Sequence, residues 1–111
     1  MRMDISWWEL DGTEWTADGL REHLREGAAE AWADVPGLRL KCWVADRRRN
    51  LWGAVMLWEA DCPPVEVLPP NRAAELIGRP PTHRLRFEVE AAVEGNYDLA
   101  DLHGLGPALA S

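Results

Sequence analysis

Residues 36–61 read PGLRLKCWVADRRRNLWGAVMLWEAD. From 38 to 45 the pattern alternates, with Leu38, Leu40, Cys42 and Val44 on one parity and Arg39, Lys41, Trp43 and Ala45 on the other. From 51 to 59 both parities are apolar: Leu51, Gly53, Val55 and Leu57 against Trp52, Ala54, Met56 and Trp58. Period-two patterning rich in β-branched and aromatic residues predicts two strands. Asp46 to Asn50 is a polar connection of ordinary hairpin length. A strand apolar on both faces belongs inside a sheet that is covered twice. In a chain this short, helices can supply one cover and a second subunit the other. A hairpin turning near Arg48 sets Cys42 opposite Val55.

Outward from the hairpin, residues 4–10 (DISWWEL) form a β-branched, aromatic run ending at Asp11-Gly12, a strand followed by a turn. Trp7 and Trp8 point to opposite faces of it. Residues 17–34 repeat apolar groups at helical spacing: Leu20, Leu24, Gly27/Ala28, Ala31 and Val35. Thr16 is the expected N-cap, and Pro36-Gly37 stops the helix. A second, short helix is expected over 71–77, capped by Asn71 and ended by Gly78. Residues 83–92 (HRLRFEVEAA) alternate cleanly, with His83, Leu85, Phe87, Val89 and Ala91 inward and Arg84, Arg86, Glu88 and Glu90 outward. One charged face suits an edge strand. The order is β-α-β-β-α-β, an α+β, ferredoxin-like unit. Its four-stranded antiparallel sheet carries helices on one face, with the first and third strands central. The other sheet face then exposes large apolar groups, and a homodimer through that face is the simplest cover. Residues 1–94 make up this domain. Residues 95–111 form a leucine-, glycine- and proline-containing tail, expected to pack as an arm, with a partner subunit as one place for it.

Composition bounds the function. The chain has 111 residues and a net charge of −7. That length fits one domain, and an acidic surface disfavours nucleic acid and anionic membrane as partners. No apolar run reaches the roughly 20 residues that span a bilayer. The first residues lack a signal-peptide pattern, so a cytoplasmic location is expected. Cys42 and Cys62 are expected as free thiols. There is no CxxC, no zinc-spaced His/Cys cluster, no GxSxG, no phosphate loop and no HExxH. Neither a metal nor another cofactor is expected.

The hairpin stretch resembles the corresponding segment of the YdhR-like monooxygenase family, small proteins of the dimeric α+β barrel superfamily. The matching features are Pro36-Gly37, Lys41 followed by Trp43, Gly53, and the run from Val55 to Trp58, with Asp11-Gly12 resembling the family's first turn. The resemblance implies a dimeric α+β barrel. It also implies a cofactor-independent monooxygenase acting on a small apolar aromatic compound, quinol- or polyketide-like. Trp58-Glu59 is similar to the Trp-Glu pair of haem-degrading relatives, whose histidine has no counterpart in residues 71–77. A non-catalytic, dimeric small-ligand module of the same fold is the alternative.

A cofactor-free oxygenase needs a dry pocket, flat walls and a base. Trp58 and His83 are the catalytic candidates, His83 because it shares parity with Leu85 and Phe87. Trp7, Trp8, Trp43, Trp52 and Met56 are candidate pocket walls. Asn71 and Arg72 are candidates for orienting an oxyanion, and His103 is a further base candidate if the tail covers the pocket. Each has an ordinary alternative: tryptophans fill cores and interfaces, histidines take structural hydrogen bonds, and Asn71 caps a helix.

Overall fold

A computed structural model describes residues 1–59 and 67–109. Its strands are β1 (Arg2–Glu9), β2 (Leu38–Asp46), β3 (Leu51–Trp58) and β4 (His83–Glu88), with helices α1 (Ala17–His23) and α2 (Arg72–Ile77). The hairpin takes the expected register, with Cys42 opposite Val55. Its turn is closed by Asp46, whose carboxylate accepts from the Arg49 backbone N–H at 3.0 Å and from Arg49 Nε at 2.7 Å. Asn50 takes the left-handed conformation (φ 54°), which asparagine tolerates better than most residues.

The four strands lie in the order β2-β3-β1-β4, every neighbouring pair antiparallel. This arrangement is compatible with a ferredoxin-like fold, and it puts the first and third strands in the centre as expected. Strand ends differ from the sequence reading. β1 begins at Arg2 rather than Asp4, and β4 stops at Glu88 rather than Ala92. The reason is pairing: Glu88 already faces Arg2, the first residue of β1, so β4 has no partner beyond it except Met1, whose carbonyl accepts from Val89 N–H at 3.1 Å.

The first helical segment is not the continuous 17–34 helix that its periodicity predicts. Thr16 caps α1 through its hydroxyl, which accepts from Gly19 N–H at 3.2 Å. After His23 the chain widens into a π-type turn (Leu24–Ala28), where Gly27 sits at φ 97°, and then tightens into a 3-10 turn (Glu30–Trp32). Left-handed Gly27 shifts the helical phase. Ala31, expected on the buried stripe, is exposed, and Trp32 takes the buried position. α2 is capped as expected: Asn71 Oδ1 accepts from Ala74 N–H at 3.1 Å, and Gly78 (φ 84°) closes the C-terminus.

Both helical segments cover one sheet face. That face carries Trp8 on β1, Trp52, Ala54, Met56 and Trp58 on β3, and Lys41 and Trp43 on β2, as alternation from the paired Trp8 and Trp52 requires. Two buried clusters form there. Trp8, Leu10, Leu20, Leu24 and Trp52 make the larger, and Trp32, Val35 and Trp58 the smaller. Two indole N–H groups tie the α2 region to this core: Trp8 Nε1 donates to Arg79 O at 3.0 Å and Trp15 Nε1 to Leu76 O at 2.9 Å.

The opposite face carries Met3, Ile5, Trp7, Leu40, Cys42, Val44, Val55, Leu57, Leu85 and Phe87, and nothing among the described residues covers it. The parity expected of β4 holds, but its apolar side lies on this open face. Leu85 is 44% exposed and Phe87 50%. Cys42 is a free thiol, while Cys62 lies outside the described residues. The tail turns once at Leu99–Leu102 and runs back over its own chain, where Arg25 Nε donates to Ala108 O at 2.9 Å and Nη2 to Pro107 O at 3.0 Å. Among the described residues no helix is long and apolar enough to cross a membrane.

Gly53 is required by strand packing. A Cβ there would meet the Ser6 carbonyl oxygen and approach Trp7 Cβ to 2.6 Å and Trp7 Cα to 2.9 Å. Two of these contacts are backbone atoms of the paired strand and cannot rotate away. Gly53→Ala is therefore expected to destabilise the fold by about 1–3 kcal/mol, read as a lower urea midpoint. An unchanged midpoint would contradict this packing.

Candidate functional site

A cleft of about 690 Å³ runs along the free edge of β2, between the Gly27-broken helical segment and the tail. Each wall has a local cause. The break at Gly27 lowers Trp32 onto the sheet. Strand alternation turns Lys41 and Trp43 toward it. Arg25 holds the tail by two carbonyls, so Leu102, Leu105 and Leu109 close the outer side. Trp52 lines the cleft from the core, and His103 reaches the lining with Nε2 3.4 Å from the Glu30 carboxylate.

Lys41 is the distinctive group in this cleft. Its Nζ lies 3.2 Å from the centroid of the Trp32 ring and 4.8 Å from that of Trp43. No carboxylate among the described residues lies within ion-pair distance of it. Burial disfavours the charged amine and lowers its pKa from 10.5 to about 7. The indole faces attract the cation and oppose that shift. At neutral pH the site can therefore hold either amine or ammonium, so it can take up and return a proton.

The candidates drawn from the sequence are not brought together. Trp43 and Trp52 line the cleft. Trp8 and Trp58 are core residues at 3% and 1% exposure and offer no ring face to a ligand. Met56 packs beside Trp58 in the smaller cluster. Trp7 and His83 lie on the open sheet face, stacked at 4.7 Å between centroids, with His83 Nε2 3.2 Å from the Glu9 carboxylate. His83 is thus separated from the cleft by the sheet itself. Asn71 serves as a helix cap, and Arg72 pairs with Glu75 at 3.3 Å on the surface. Arg47 and Arg49 of the basic turn pair with Asp18 and Asp46. Among the described residues, no His/Cys/Asp/Glu group is arranged to hold a metal ion.

Sequence reasoning missed two cleft residues, Trp32 and Lys41, as site residues. Trp32 was hidden because the helical period continues through Gly27. Lys41 did leave a signal: it is the chain's one lysine, beside eleven arginines.

The state of Lys41 has a measurable consequence for stability. In the unfolded chain the amine keeps its proton until near 10.5, and in the folded chain it releases it near 7. Between these values the unfolded state binds the extra proton, so raising the pH favours folding. The wild-type protein should gain stability relative to Lys41→Met across that window, by an amount on the order of a few kcal/mol. Parallel pH profiles from urea unfolding would show that the folded chain does not hold Lys41 neutral.

No protein-family model and no curated protein matches this chain. The candidate site accordingly stands on its own residues: an amine set against two indole rings in a cleft closed by the chain's tail.

Proposed function

We propose that this chain is a YdhR-like, homodimeric α+β protein that binds a small apolar aromatic compound in the β2 cleft and oxidises it with dioxygen without a cofactor. The observation that carries this reading is the pairing of aromatic walls with one amine near its neutral form, Lys41 beside Trp32 and Trp43. Indole faces suit a flat ring, and the leucines of the tail suit an apolar rim. An ionised quinol is electron-rich enough to reduce dioxygen itself. The substrate supplies all four electrons, one oxygen atom enters the ring and the other leaves as water. The protein's tasks are then to orient the ring, exclude water and hold the anion.

The dimer completes the fold in this reading. Four strands spaced about 4.8 Å apart and some seven residues long give a face of roughly 450 Å² in projection. With side-chain relief this approaches the roughly 800 Å² per partner of a standard interface. A second copy presents the same apolar face, which is the self-complementarity a two-fold contact requires. The wild-type protein should sediment as a dimer at micromolar concentration and Phe87→Glu as a folded monomer. A monomeric wild type would remove this interface.

Ligand binding is tested by titrating tryptophan fluorescence with naphthols and hydroquinones. Saturable quenching is expected, with Trp43→Ala weakening it about tenfold or more, a loss of about 1.4 kcal/mol. Dioxygen uptake with the bound compound would support turnover. Quenching without uptake would favour a non-catalytic binding module. Equal binding by Trp43→Ala would move the ligand out of this cleft.

A further inference from the structure

We infer that Lys41 is the proton acceptor of the cleft: its amine takes the proton of an aromatic hydroxyl group and its ammonium then holds the oxyanion, so the ligand class is phenols, naphthols and hydroquinones with an acidic hydroxyl. This rests on the cleft being the ligand site. It moves the base from His83, on the far sheet face, to a group inside the aromatic walls.

Residue choice is the first argument. The chain uses arginine for every other cationic side chain, including Arg2, Arg39, Arg47 and Arg72, each paired with a carboxylate. Arginine cannot give up its proton in a protein, whereas lysine can. A site for a permanent anion would be served by the same arginine. The one lysine stands where the cation has to be made and unmade.

Position is the second argument. Lys41 lines the cleft, has no carboxylate partner among the described residues, and presents Nζ to the Trp32 ring at 3.2 Å. That ring stabilises the ammonium as it forms. The step is a proton transfer alone: the O–H bond of the ligand breaks, an N–H bond forms on Nζ, and the pair is left as ammonium and aryloxide. Burial tunes the amine to about 7, where a base is effective at neutral pH. The other charged or titratable groups lining the cleft are Glu30, His103, Arg21, Arg39, Arg47 and Cys42. His103 faces Glu30, Arg39 pairs with Glu59 and Arg47 with Asp18, and none pairs with Nζ.

The test uses the full-length protein with 4-nitrophenol, whose absorption reports its ionisation, and 4-nitroanisole, which has the same ring without the proton. At a pH where free 4-nitrophenol is largely neutral, binding should generate the phenolate band, and 4-nitroanisole should bind at least tenfold more weakly. Affinity for 4-nitrophenol should be bell-shaped in pH, falling on the alkaline side as Lys41 loses its proton. Lys41→Arg should convert the bell into a rise that levels off, and Lys41→Met should abolish the band. A phenolate band surviving in Lys41→Met, or a wild-type profile without the alkaline fall, overturns the assignment. Equal binding of the two probes overturns it while leaving the cleft as the ligand site. Binding of neither probe overturns both. Because Lys41 is the only lysine, reductive ¹³C-methylation of the wild-type protein gives one side-chain amine signal, separable from the terminus. Its titration near neutral pH is expected, and titration near the value of a free lysine would overturn the proposal without any variant.

Discussion

β3 turns Trp52, Ala54, Met56 and Trp58 to one side and Leu51, Val55 and Leu57 to the other. A central strand of this kind has to be covered on both faces, and the rest of the molecule is arranged around that requirement. The described residues supply enough helix to cover only one. α1, the turns after it and α2 bury Trp8, Trp52 and Trp58 against the sheet. The second face is left apolar, with Leu85 and Phe87 half exposed at its β4 edge. Gly53 belongs to the same economy, since its missing Cβ lets β1 and β3 approach with Trp7 alongside.

The cleft follows from an imperfection in the helical cover. A straight helix over 17–34 would have carried Ala31 inward and left Trp32 outside. Gly27, at φ 97°, breaks the phase instead. Trp32 then comes down beside β2, where the alternating strand has already pointed Lys41 and Trp43. The cost of burying an amine is partly offset by the two ring faces, and the residual cost appears as its lowered pKa. Because β2 is an edge strand, the space beside it stays open until the tail closes it from the far side. Helix break, edge strand and tail clasp together make a pocket that none of them makes alone.

Much of this was legible in the residues. Periodicity in 38–45 and 51–59 determined the hairpin and its register. The charged parity of 83–92 marked the fourth strand as an edge, and Thr16, Asn71 and Gly78 marked helix ends that the structure keeps. These are local properties: strand pleat, cap hydrogen bonds and turn geometry depend on neighbours along the chain. The element order followed from them, and with it the central places of β1 and β3.

The site was decided by tertiary structure. His83 and Trp43 are both site candidates in sequence, yet the sheet separates them, because alternation assigns parity but not which face receives the helices. Trp58 is a catalytic candidate in one dimension and core in three. Lys41 is only one member of an alternating strand in sequence until the Gly27 break sets an indole over it. Sequence by itself determined the strands, caps and order, since these rest on short-range constraints. Which tryptophans are walls and which are core, and which amine loses its water, depended on contacts between segments far apart in the chain.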